Sequence, residues 1–168
     1  MKEISVHELS KFNPFTGCMD DWFIVSAEKD GKINALTASW GGFGRVWNKN
    51  TVTLYIRPQR YTREFIDSQN QFTISFLKPG YKQALQYLGT HSGKEEADKI
   101  NQSGLHDCFI GSIHTFQEAS LVMSCKVLYR QTIDPTCLIN DTNIDQSFYP
   151  NKDYSLIYVG EILNIYSE

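Results

Sequence analysis

Two β-prone runs meet across an Asp-Gly pair, and this feature constrains the fold most. Trp22 to Glu28 (WFIVSAE) leads into Lys29-Asp30-Gly31-Lys32, and Ile33 to Ser39 (INALTAS) follows. Asp-Gly favours a two-residue turn whose twist matches the strands on either side, so the two runs should pair as an antiparallel hairpin. Period-two segments recur along the chain. In Thr51 to Arg57, Val52, Leu54 and Ile56 face one way, and Pro58 ends the strand because it has no N–H for a ladder. Gln71 to Leu77 is another strand, closed by Pro79-Gly80. Ala119 to Gln131 places Leu121, Met123, Cys125, Val127 and Tyr129 on one face. Tyr154 to Tyr166 is apolar on both faces: Leu156, Tyr158, Gly160 and Ile162 on one, Ile157, Val159 and Ile165 on the other. That pattern suits burial on both sides or a subunit contact.

Three short helices separate the strands. Thr62 should cap one that runs to Ser68, with Asn70 at its left-handed end. Tyr81 to Leu88 forms a second, stopped by Gly89. Ser92 and Glu95 have capping-box spacing for a third, reaching about Asn101. Trp40 to Asn50, with three glycines, is expected as a loop, as is most of Asp134 to Asp153. Strands outnumber helices and come as hairpins rather than βαβ units. The fold class is therefore mainly β, an antiparallel barrel with short helices.

The chain's 168 residues suit one domain, residues 1–168. Hydrophobic residues make up 41%, enough for a core of its own. Sixteen Lys and Arg stand against nineteen Asp and Glu, a net charge of -3, which argues against nucleic acid as the main partner. No apolar run approaches the roughly 20 residues of a membrane helix, and residues 1–15 lack the apolar stretch of a secretory leader. A cytoplasmic protein is expected. Cys18, Cys108, Cys125 and Cys137 form no CxxC pair and read as reduced thiols filling small buried positions. Ten Phe and nine Tyr suit a β-rich core or a pocket for a flat ligand.

Common nucleotide and nucleophile motifs are missing. Gly42-Phe43-Gly44 is only a fragment of a dinucleotide fingerprint, with no third glycine and no following helix. There is no Walker A motif and no GxSxG. His7, His91, His106 and His114 lack ligand spacing, so no metal site is expected.

Three segments carry chemistry. In Tyr55-Ile56-Arg57-Pro58-Gln59-Arg60-Tyr61-Thr62, two arginines sit at a strand end just before a helix. Guanidinium groups match phosphate oxygens two-pronged, and the Thr62 hydroxyl and helix amides add donors. The alternative is a solvated turn. In Asn34-Ala35-Leu36-Thr37-Ala38-Ser39-Trp40, small and hydroxylated residues let a backbone edge approach a heterocycle, with Trp40 bordering the ring. The alternative is an ordinary strand end with Trp40 in the core. In Thr90 to Lys99, Ser92-Gly93-Lys94 opens a helix and could hold an anion, although Glu95 and Glu96 oppose one. A capped surface helix is the alternative.

In this order and spacing, NALTASW after a DG hairpin, YIRPQRYT and YLGTHSGKEEADK resemble the flavin reductase-like, FMN-binding split-barrel family, the flavoredoxin group. The resemblance runs from about Trp22 to Ile100. It implies a six-stranded antiparallel split barrel that pairs as a homodimer with FMN near the interface. It implies that Thr37, Ala38, Ser39 and Trp40 line the isoalloxazine and ribityl groups. Arg57, Gln59, Arg60 and Thr62 would hold the phosphate, and Ser92, Gly93 and Lys94 would close over the flavin. His91 and the paired Glu95 and Glu96 depart from the family pattern. The implied activity is an NAD(P)H:FMN oxidoreductase, with NADH or NADPH as co-substrate and no catalytic side chain, because hydride passes directly between stacked rings. Reduced flavin would serve a monooxygenase, or its electrons a metal or protein acceptor. The alternatives are an FMN-binding electron carrier reduced by a partner protein and, more distantly, a flavoprotein acting on pyridoxamine-type substrates.

Overall fold

A computed structural model of the chain describes residues 1–9, 12–139 and 142–168. Asp30 and Gly31 take left-handed φ values of 51° and 72°, which makes the expected hairpin turn between β2 (Phe23–Lys29) and β3 (Lys32–Ala38). Strand β1 (Lys2–Ile4) precedes them, and β4 (Gly41–Val46), β5 (Lys49–Ile56) and β6 (Gln71–Leu77) follow. After the small hairpin of β7 (Asp107–Ile110) and β8 (Ile113–Phe116) come the long strands β9 (Ala119–Thr132) and β10 (Leu156–Ser167). Helices are α1 (Pro14–Thr16), α2 (Thr62–Gln69), α3 (Lys82–Thr90), α4 (Lys99–Gln102) and α5 (Thr142–Phe148).

The main sheet is antiparallel throughout, in the order β3-β2-β6-β9-β10-β5-β4, with β1 paired to the end of β10. Among the described residues it has eight strands rather than six. The sheet curls so that Phe23, Leu36, Leu54, Ile74, Met123 and Tyr158 from six strands share one interior. Phe65 and Ile66 of α2 enter the same interior. Each fully buried ring or aliphatic chain contributes about 1.5–3 kcal/mol there. A second apolar cluster lies between Ile24 and Ala35 of the β2–β3 hairpin and Ala84, Leu85 and Leu88 of α3.

The glycine-rich segment from Trp40 to Asn50 is a hairpin, β4 with β5, not a loop. A Cβ on Gly41 would sit 2.5 Å from the Thr53 carbonyl oxygen, so glycine there permits close strand approach rather than flexibility. The turn falls instead on Trp47 and Asn48, at φ 51° and 58°. Thr62 is not a cap: Tyr61 holds that position with no side-chain bond. Gly89 does not stop α3, which runs to Thr90. The capping box at Ser92 starts no helix. Residues 93–95 and 97–98 form turns, and α4 begins only at Lys99. The expected loop from Asp134 to Asp153 contains a short 3-10 turn (Pro135–Cys137) and α5. Residues 10, 11, 140 and 141, which fall in the amino-terminal stretch and this loop, lie outside the described residues. In β10 an extra residue, Leu163, shifts the register between Ile162 and Asn164, so Ile165 points inward with Tyr158. Cys18 and Cys125 are buried, Cys108 is half-buried and Cys137 is exposed, so only two thiols fill core positions.

Candidate functional site

The end of β3 and the end of β5 form the walls of a cavity of about 230 Å³. Thr37, Ala38, Ser39 and Trp40 line one side, and Ile56, Arg57 and Arg60 the other. The Thr37 hydroxyl donates to the Leu85 carbonyl and so fastens this strand end to α3. Ala38 presents only a methyl group to the cavity, which lets a ligand come close to the strand. Trp40 is 42% exposed and therefore borders the cavity rather than filling the core.

A second cavity, of about 180 Å³, is lined by Asn34, Gln59, Thr62, Ser92, Gly93 and Lys99, among others. Arg60 lines both cavities and joins them into one groove. Ten of the eleven residues singled out from the sequence line this groove. Lys94 does not: it is exposed, and its amide donates to the Ser92 hydroxyl at 3.3 Å.

The two arginines have different surroundings. Arg57 is already engaged by the segment before β10. Its Nη1 donates to the Asp153 carbonyl at 3.1 Å, and its Nη2 donates to the Phe148 carbonyl. Its guanidinium lies 4.4 Å from the centre of the Tyr149 ring and 5.9 Å from that of Trp40. It also pairs with Asp153 Oδ1 at 3.0 Å, and Gln59 Nε2 donates to Asp153 Oδ2 at 2.9 Å. The Gln59 amide, with Arg57 beyond it, holds the Asp153 carboxyl below its usual range. Asp153 thus already satisfies two of the groups read as phosphate ligands.

Arg60 has no such partner. Its Nη1 donates to the Gly89 carbonyl, and its Nη2 lies 3.4 Å from the Leu88 carbonyl. Lys99, unforeseen from the sequence, sits beside it. Only 3% of Lys99 is exposed, and its Nζ donates to the His91 carbonyl at 3.0 Å. Burial, and then the nearby Arg60 charge, push the Lys99 ammonium down to about 8, with Glu96 acting weakly the other way. Neither cation is in an ion pair among the described residues. A buried and a half-buried positive charge held by carbonyl oxygens are costly, and an anion in the groove offsets that cost. The remaining donors fit an anion as well. Asn34 Nδ2 reaches the buried Thr62 Oγ1 at 3.1 Å, and Gly93 presses on Asn34 so closely that a Cβ would sit 2.2 Å from its Oδ1. His91 lines the same cavity, its ring stacked on Tyr87 with centroids 3.8 Å apart.

Lys99 escaped sequence reading because its only visible signal pointed elsewhere. Glu95 lies four residues before it, the spacing of a surface ion pair on a helix. The helix does not form there, and the buried Ile100 draws Lys99 inward with it. Among the described residues no group of His, Cys, Asp and Glu could hold a metal ion, and no helix is long and apolar enough to cross a membrane.

The fold is similar to several solved structures. One is an FMN-binding domain of a flavin reductases-like enzyme from Shewanella baltica, 16% identical, covering 99% of this chain and 76% of that one, with a TM-score of 0.72. Another is flavoredoxin from Methanosarcina acetivorans, 21% identical over 88% of this chain and 68% of that one, TM-score 0.66. A third is an NADH:FAD oxidoreductase from Streptomyces globisporus, 11% identical over 88% and 75%, TM-score 0.65. No curated protein matches the chain. Residues 20–167 match the flavin reductase like domain, and the chain belongs to that family.

Proposed function

We propose that the groove binds FMN and that the protein is an NAD(P)H-dependent flavin oxidoreductase, the whole chain acting as one split-barrel domain. The observation that carries this reading is a pair of carboxylate-free cations, the half-buried Arg60 and the buried Lys99, in a groove whose far end is bordered by Trp40 and the small residues of β3. A flat ring with a terminal phosphate on a flexible arm matches that layout, with the phosphate at Arg60, Lys99 and Thr62 and the ring against residues 37–40. FMN, when bound, supplies the redox chemistry, with NADH or NADPH as the hydride donor. The chain's own residues bind and orient. Arg60 and Lys99 neutralise the phosphate, Ser92 and Gly93 close the loop beside it, and Trp40 fences the ring. Arg57 and Gln59 hold the 148–153 segment as a wall of the groove through Asp153. No side chain acts as a base.

The members named above are described as a reductase-like domain, a flavoredoxin and an NADH:FAD oxidoreductase, which supports flavin chemistry and leaves the electron donor to experiment. A homodimer in the cytoplasm fits the exposed Trp47 and Tyr55 on the β4–β5 face and the unpaired thiols. Reduced flavin would then serve a monooxygenase or another electron acceptor. The test is the visible spectrum of the purified protein loaded with FMN, followed by anaerobic NADH and then NADPH. Rapid bleaching by either donor supports the reductase. Bleaching only by dithionite replaces it with an electron carrier reduced by a partner protein. Failure to take up FMN removes both readings.

A further inference from the structure

We propose that a second cleft, sharing no lining residue with the flavin groove, binds a small neutral polyhydroxy compound of the polyol or monosaccharide class. The cleft has a volume of about 360 Å³ and lies between the β7–β8 hairpin and the outward face of β2, β6, β9 and β10. That size is at the low end of small-molecule pockets, which run from roughly 300 to 1,000 Å³.

Its floor is a row of polar residues in register across four strands. Ser26 pairs with Thr73, Thr73 with Ser124, and Ser124 with Asn164. Ser26, Thr73 and Ser124 are 1%, 8% and 8% exposed. Where α3 covers the neighbouring outward face, the buried residues are apolar: Ile24 and Ala35. Buried hydroxyls in place of such residues cost free energy unless they find partners.

Counting protons defines the ligand. The Asp107 carboxylate only accepts, so His114 Nε2 donates to it at 2.8 Å. Burial disfavours the charged form of His114, so Nδ1 of the neutral ring accepts from the Ser26 hydroxyl at 3.0 Å. Ser124 Oγ donates to Asn164 Oδ1 at 3.0 Å, and Asn164 Nδ2 donates to Glu3 Oε1 at 2.9 Å. Ser26 and Ser124 have therefore spent their protons and offer only lone pairs. Thr73 Oγ1, on a residue more than nine-tenths buried, has no hydrogen-bond partner among the described residues. A ligand must donate to the two serines and can both donate to and accept from Thr73, which hydroxyl groups do. No Lys or Arg lines the cleft, and Glu28 stands at its edge, so an anion is disfavoured.

The experiment is an amide-resolved NMR titration of the full-length protein with D-glucose and with glycerol, and with inorganic phosphate as the anionic control. The expected result is saturable shifts at Ser26, Thr73 and Ser124 with the hydroxylated probes and none with phosphate. Thr73→Val should weaken binding about tenfold, the loss of one hydrogen bond. Gln71→Ala, at the exposed rim, should weaken it without altering the melting temperature, and so guards against a folding defect in the Thr73 variant. Both variants should keep FMN affinity. Shifts that grow linearly without saturation, that persist unchanged in both variants, or that appear equally with phosphate overturn the proposal. So do shifts of the same amides on dilution of the protein alone, which would make the cleft an interface between copies.

Discussion

Arg60 and Lys99 converge on a single backbone oxygen: Arg60 Nη2 and Lys99 Nζ each lie 3.4 Å from the Leu88 carbonyl. The carbonyl cannot neutralise two charges, so each cation raises the cost of the other. Lys99→Met should therefore leave the empty protein at least as stable while weakening FMN by about 1.5–3 kcal/mol, the worth of a charge-assisted bond. Riboflavin, which lacks the phosphate, should lose little. Equal losses for the two ligands in fluorescence titrations would falsify phosphate contact at Lys99.

The same residue sets a pH dependence. The ammonium is lowered from 10.5 to about 8 in the fold, so its charge is present below that range and is lost as pH rises through it. FMN affinity of the wild-type protein should fall as pH rises through about 8, and the Lys99→Met protein should lack that step. The stability of the empty protein has the opposite sign. Charging the buried amine costs free energy below about 8, and that cost is relieved between there and 10.5. Urea titrations of the two proteins across this window measure the difference.

Single substitutions separate the two arginines. Arg60→Ala should weaken FMN strongly. Arg57→Ala should act mainly on the 148–153 segment, because its bonds go to Phe148 and Asp153 and its face to Tyr149. The pair with Asp153 is about a quarter exposed on each side, so solvent screening keeps its contribution small. Proteolysis near Lys152 should quicken in this variant while FMN affinity stays close to wild type. A loss of FMN affinity equal to that of Arg60→Ala would return Arg57 to the phosphate site.

How far these roles are legible in sequence depends on the range of the interactions. The β2–β3 turn is written in two adjacent residues, Asp30 and Gly31, and the strand ends at Thr37–Trp40 and Arg57 follow from local alternation. What is not local is not legible. Gly41 reads as a loop residue until the Thr53 carbonyl, twelve positions away, is seen to exclude a Cβ. Arg57 and Arg60 look equivalent until Asp153, far along the chain, claims one of them. Leu163 breaks the alternation of β10 with no local signal, because the bulge depends on how Cys125 and Ser124 of β9 are spaced against it.

The β4–β5 face is open to an association test. Trp47 is 60% exposed and Tyr55 37%, while Gly42 and Gly44 leave the strand surface flat between them. If two copies meet here, Trp47→Asp should shift the protein to a monomer on sizing with little effect on monomer stability. A wild-type protein that already runs as a monomer, yet binds FMN fully, would sink both the homodimer and an interface site.

His114 supplies the last prediction. It is 6% exposed, stands between the aromatic rings of Phe109 and Phe116, and has Asp107 and Ser26 on its two nitrogens. Burial lowers its folded-state pKa below 6.5, with the Asp107 contact opposing but not cancelling the shift. The unfolded chain therefore binds more protons than the fold once pH drops below 6.5, and stability must fall with pH there. Protonation also turns Nδ1 into a donor, so the Ser26 oxygen must accept from it and the Ser26 proton loses its present acceptor. His114→Gln removes the titration while keeping polar contacts. Between about pH 7.5 and about pH 5, the range in which histidine changes charge, the wild-type protein should lose more stability in urea than this variant. Parallel losses in the two proteins would show that the hairpin contact does not sense protons.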